Sequence, residues 1–87
     1  MSELNVDIVT PGGIQYHGQV VGLTIPGADG KFQIFHNHAP LLANLAAGQL
    51  EIIHENRVEL MQIGEGLLEV IKNQVNIMVE SAELIAK

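Results

Sequence analysis

Gly30-Lys31-Phe32-Gln33-Ile34-Phe35-His36-Asn37-His38-Ala39-Pro40-Leu41-Leu42 is the stretch whose reading decides the fold. Its first half alternates, with Phe32 and Ile34 on one face and Gln33 and Phe35 on the other, which is the period of a half-buried strand. Pro40 then pushes Ala39 towards extended backbone and away from any helix start. Between strand and proline lies a polar corner, His36 to His38. Two of the three aromatic residues, two of the four histidines and one of the three prolines stand in this stretch. A shaped corner so rich in contact-making side chains is the first place to look for function.

Period-two runs continue outward in both directions. Leu4, Val6 and Ile8 alternate with Asn5 and Asp7; Val21, Leu23 and Ile25 with Gly22 and Thr24; Leu50 and Ile52 with Glu51. Further on, Val58 and Leu60 flank Glu59, and Val75, Ile77 and Val79 alternate with polar neighbours such as Asn76. Turn signals separate these runs: Pro11-Gly12-Gly13, Pro26 to Gly30, Ala47-Gly48, Glu55-Asn56, Gly64-Glu65-Gly66 and Lys72-Asn73. Short strands punctuated this often indicate a sandwich or a barrel and not a βαβ unit. The one helix candidate is the tail, Glu80 to Lys87, which is too short to stand alone.

Some runs carry apolar groups on both faces: Val20-Val21, Ile52-Ile53, Leu67-Leu68 and Val70-Ile71. An outward apolar row implies either a closed small barrel or a surface that a partner covers.

Composition narrows the function. The 87 residues make one domain, 1–87, with a small core. Ten acidic against four basic residues give a formal charge of −6, and the basic residues, Lys31, Arg57, Lys72 and Lys87, are scattered. Nucleic acid and anionic lipid are therefore poor partners. The absence of cysteine excludes disulfides and thiol catalysis. No apolar run approaches the ~20 residues that span a bilayer, and no leader-like segment opens the chain.

Gly30 followed at a distance by His36-x-His38 resembles the opening of the cupin metal motif, but the Glu expected four or five residues on is replaced by Leu42 and Ala43. His17 and His54 lack ligand spacing. Lys72 at a hairpin tip resembles the modified lysine of biotinyl and lipoyl carrier domains, yet its neighbours Ile71 and Asn73 do not match either motif. Ser2 and Ser81 sit near the termini without a nucleophile elbow. Glu51, Glu55, Glu59, Glu65 and Glu69 read as solvated carboxylates on strand faces and turns.

The string Gly30-x-Phe32-x-Ile34-x-x-x-His38-Ala39-Pro40-Leu41-Leu42 closely resembles the epsilon subunit family of the rotary F-type ATP synthase, called delta in mitochondria. Leu4 to Pro11, Gly18 to Ile25, the Gly48 turn, Gly64 to Val70 and Val75 to Val79 resemble further segments of that family in order. Gln33 departs from a position where the family often has Gly. The family's usual subunit also continues as a two-helix hairpin, whereas this chain stops at Lys87. The expected form is therefore the β-sandwich alone, without the inhibition or ATP binding that the family associates with its helices.

The resemblance implies an all-β fold, a small β-sandwich of about ten short strands in two sheets. It implies a non-catalytic central-stalk rotor subunit without cofactors, joining the gamma subunit to the c-ring and coupling ion translocation to ATP synthesis or hydrolysis. Its place would be peripheral, at the cytoplasmic face of the bacterial inner membrane. Carried over position by position, Asp29, Gly30 and Lys31 face the c-ring loops, and His38, Ala39, Pro40 and Leu42 contact gamma. A small Ala39 and a rigid Pro40 allow close approach with little freedom to lose.

Overall fold

The computed structural model describes residues 3–86, and all its regular elements are strands. They are β1 (Leu4–Thr10), β2 (Gly13–Val20), β3 (Gly22–Gly27), β4 (Gly30–Phe35), β5 (Leu41–Leu45), β6 (Gly48–Ile53), β7 (Val58–Ile63), β8 (Gly66–Ile71), β9 (Gln74–Val79) and β10 (Ala82–Ala86). Two groups of strands follow from the pairing. One is β4-β3-β6-β7-β10 and the other β5-β8-β9-β1-β2, joined where Gly27 of β3 pairs with Leu45 of β5. The expected β-sandwich of two sheets is what forms, with its hydrogen-bonding path running from one sheet into the other. Pairing is antiparallel except between β1 and β9, which run parallel from Asn5↔Gln74 to Val9↔Met78.

Alternation explains the core. Leu4, Val6 and Ile8 of β1, Leu23 and Ile25 of β3, Leu50 and Ile52 of β6 and Val75 and Ile77 of β9 are all fully buried. Each such side chain taken out of water contributes about 1.5–3 kcal/mol. β3 is buried on both faces, because Phe35 lies over Gly22 on its outer side, where a Cβ would meet the ring at 2.5 Å. Phe32 covers Gly27 on the core side, where a Cβ would meet its ring at 2.7 Å. The aromatic residues of the decisive stretch thus supply the bulk that the β3 glycines lack.

Two expectations fail. In β7 the phase is inverted: Glu59 points inward and is buried, while Val58 is 44% exposed. The pairing with β6 dictates this, since Ile52 opposite Glu59 and Leu50 opposite Met61 both face the core. The tail forms no helix. Ala82 to Ala86 add β10 to the open edge of β7, with an irregularity between Leu84 and Ala86. An eight-residue helix cannot recover its nucleation cost, whereas a waiting strand edge offers ready partners for the same backbone groups. Ser2 and Lys87 lie outside the described residues.

Candidate docking surface

The β3–β4 hairpin turns through Ala28 and Asp29, and Gly30 follows at φ 126°, a left-handed conformation that disfavours any side chain. Ala28 N–H donates to Asn44 O at 2.9 Å and Ala46 N–H to Pro26 O at 2.8 Å, so the turn end of the hairpin is bonded to the end of β5. Between the hairpin and β5 lies an open groove of about 600 Å³, lined by Asp29, Gly30, Lys31, His38 and Leu42 among others. The sequence assigned these residues to two separate surfaces. Folding brings them to one groove between two sheet edges, β4 and β5. Pro40 and Leu42 also line a second, smaller depression with Glu69 and Ile71. Ala39 is exposed beside them, and Leu42 is 70% exposed.

The corner between β4 and β5 is held by four hydrogen bonds, two within it and two to Asn73. His38 N–H donates to Phe35 O at 3.2 Å, and Asn37 occupies the left-handed position of this turn at φ 65°. His38 Nδ1–H donates to Ala39 O at 2.7 Å. Asn37 N–H donates to Asn73 Oδ1 at 2.6 Å, and Asn73 Nδ2 donates back to Asn37 Oδ1 at 3.1 Å. The Asn37–Asn73 tie was not read from the sequence. Both are asparagines at turn positions, a visible signal, but nothing local announces that the two turns meet.

His36 stands in the turn beyond the end of β4. It cannot share a strand face with His38, which is the arrangement a cupin-type metal site requires. Among the described residues no three His, Cys, Asp or Glu side chains converge. His17 instead pairs with Asp7 across β1 and β2. Lys72 is exposed at the β8–β9 tip at φ 47°, beside Asn73 at φ 64°, a two-residue type I′ turn.

A buried polar cluster lies elsewhere. Glu59 Oε1 accepts from His54 Nε2 at 2.6 Å and from the Tyr16 hydroxyl at 3.3 Å, with the Arg57 guanidinium 3.9 Å away. Burial opposes its charge, but the His54 hydrogen bond and charge, the Tyr16 hydroxyl and Arg57 together hold the carboxyl below its ordinary value. Burial and the neighbouring Glu59 push the Tyr16 phenol up to about 12. The Tyr16–Glu59 bond joins β2 of one sheet to β7 of the other, so the cluster ties the sandwich together.

The outer face of β5-β8-β9-β1-β2 is striped. Register places Leu42, Glu69, Asn76, Asp7 and His17 in one row across the strands. Beside it runs an apolar row of Leu67, Met78, Val9 and Ile14. Leu67 and Met78 are each 42% exposed and Ile14 67%.

Comparison with known families is decisive at this point: residues 3–85 match the family described as ATP synthase, Delta/Epsilon chain, beta-sandwich domain. The chain belongs to that family. Among curated relatives, an ATP synthase epsilon chain of Leptospira borgpetersenii serovar Hardjo-bovis is 48% identical over 46 residues, 53% of this chain and 36% of that protein. One from Chlorobium limicola is 50% identical over 44 residues, 51% of this chain and 50% of the relative. The matches span between about a third and a half of the length of these relatives. The delta/epsilon sandwich is also similar to a chain in the Euglena gracilis mitochondrial ATP synthase structure (OSCP/F1/c-ring, rotational state 1), with a TM-score of 0.89 at 20% identity over 97% of this chain and 54% of that one. A chain of the Tetrahymena thermophila mitochondrial ATP synthase central stalk and c-ring gives 0.77 at 19% identity, over 92% of this chain and 65% of that one. At these identities the structural likeness establishes the fold. No helix among the described residues is long and apolar enough to cross a membrane.

Proposed function

We propose that this delta/epsilon sandwich is a non-catalytic rotor element of an F-type ATP synthase, joining gamma to the c-ring and turning with them at the cytoplasmic face of a bacterial membrane. The observation that carries the reading is the family match over residues 3–85. Its relatives are epsilon chains, and its structural neighbours come from assemblies that contain a c-ring. In this reading Asp29, Gly30 and Lys31 meet the polar loops of the ring, and His38, Ala39, Pro40 and Leu42 meet gamma. The groove supports a close juxtaposition of the two contacts, since residues of both sets line it. A turn with one acidic and one basic side chain suits polar loops, and an exposed leucine next to a rigid proline suits a protein surface.

The test is capture of gamma. His38→Asp with Pro40→Asp changes two residues that the core does not bury, and is expected to abolish capture while leaving the urea midpoint of the isolated chain nearly unchanged. Undiminished capture by a folded variant would sink the assignment of the corner to gamma.

A further inference from the structure

We propose that Asn73, on the β8–β9 hairpin, is a positioning residue for the β4–β5 corner: through its reciprocal hydrogen bonds with Asn37 it fixes the direction in which His38 to Leu42 are presented. The proposal rests on the reading of that corner as the gamma contact, and names the residue outside the contact on which its shape depends.

Three observations carry it. The two asparagines exchange bonds in both directions, one from the Asn37 backbone and one from the Asn73 side chain, so the corner is held at two points and cannot pivot about one. Both residues occupy left-handed backbone, at φ 65° and 64°. An L-residue other than glycine pays for that conformation, and asparagine is among the few that tolerate it. Here each asparagine supplies a side chain that glycine would lack. Finally, Asn73 O accepts from Asn5 N at 2.9 Å, so the hairpin holding the corner is itself anchored where β1 begins. Corner, hairpin and β1 thereby form one chain of polar contacts over 36 residues of sequence separation between Asn37 and Asn73.

The energetic scale favours a positioning role over a stabilising one. The Asn–Asn bonds are exposed, and water competes for the same groups, so their loss barely alters the folded fraction. Docking is more sensitive. An ordered surface loses less freedom on association, and a corner that samples several orientations is competent for only part of the time.

Glycine substitutions isolate the effect, because glycine adopts the same left-handed backbone without strain. Amide exchange by NMR on the chain carrying Asn73→Gly is expected to speed up at Asn37 by about tenfold, the scale of one lost hydrogen bond, with the Val75 and Ile77 amides unchanged. Asn73→Asp keeps the acceptor for the Asn37 N–H and is expected to restore slow exchange. Unchanged Asn37 exchange in Asn73→Gly would overturn the tie. In the gamma capture assay, Asn73→Gly is expected to weaken binding several-fold, with partial rescue by Asn73→Asp, which keeps the acceptor for the Asn37 N–H and loses the donor to Asn37 Oδ1. Full-strength capture by Asn73→Gly, while His38→Asp with Pro40→Asp abolishes it, would overturn the positioning role alone. If the latter pair also leaves capture intact, the docking reading itself is what falls.

Discussion

A methyl group at Gly66 would meet Met78 O at 2.0 Å and Val79 Cα at 2.7 Å, both main-chain atoms that cannot rotate aside. Gly66→Ala therefore has to part β8 from β9, and is expected to lower stability by about 3 kcal/mol, read as a fall in the urea midpoint. Glu59 sets a different dependence. Its folded carboxyl titrates below its ordinary value of 4.5, so its contribution is present above that pH and is lost as pH falls through the folded value. Glu59→Gln, which cannot ionise, should be less stable at neutral pH by about 1–3 kcal/mol, with the gap closing in acid; a constant gap from pH 7 to 3 would contradict this. Tyr16 works in the opposite direction. With its phenol raised from 10.0 to about 12, its contribution is present below pH 10 and lost as pH rises through the folded value, and Tyr16→Phe should remove that alkaline loss. None of this could be read at Glu59 from sequence, because a glutamate between Val58 and Leu60 looks like the solvent face of a strand. His54 and Arg57 across the same turn, and Tyr16 from the other sheet, together make burial of the carboxylate tolerable.

At the scale of elements, the type I′ turn between β8 and β9 puts Lys72 at φ 47°, where a long side chain is disfavoured. Lys72→Gly is expected to be neutral or to stabilise by about 0.5 kcal/mol, seen as a small rise in Tm, since the relief of strain slightly outweighs the added freedom of the unfolded chain. The strands themselves were largely legible. β1, β6 and β9 show their buried faces by simple alternation, and every expected turn falls at or beside a strand boundary. β7 was read in the wrong phase because two apolar residues outvoted one glutamate, and the ladder to β6 settled it otherwise. β10 was unreadable for another reason: five residues of tail have no preference of their own and take the structure of the edge they meet.

For the whole molecule, the row of Leu67, Met78, Val9 and Ile14 leaves an apolar stripe on the outer face, and Leu67 is the one residue in it that belongs to the doubly apolar pairs of the sequence. Leu67→Ser with Met78→Ser is expected to change the urea midpoint of the isolated chain little, since both side chains are already 42% exposed. A marked loss of stability would show instead that the row stabilises the sandwich itself. The candidate site was legible only as separate pieces. Both parts of the decisive stretch lie close in sequence, yet the groove between them depends on β5 bonding to the turn end of the hairpin, and the Asn37–Asn73 tie depends on a turn far along the chain. The seam between the sheets has a mechanical meaning as well. Gly27 to Leu45, Ala28 to Asn44 and Ala46 to Pro26 are main-chain contacts, so a push on the Asp29 turn passes into the second sheet through backbone alone. Surface side chains around the groove are then free to vary without softening that path, and the substitution that weakens it is proline at position 28 or 46, which deletes one of its donors.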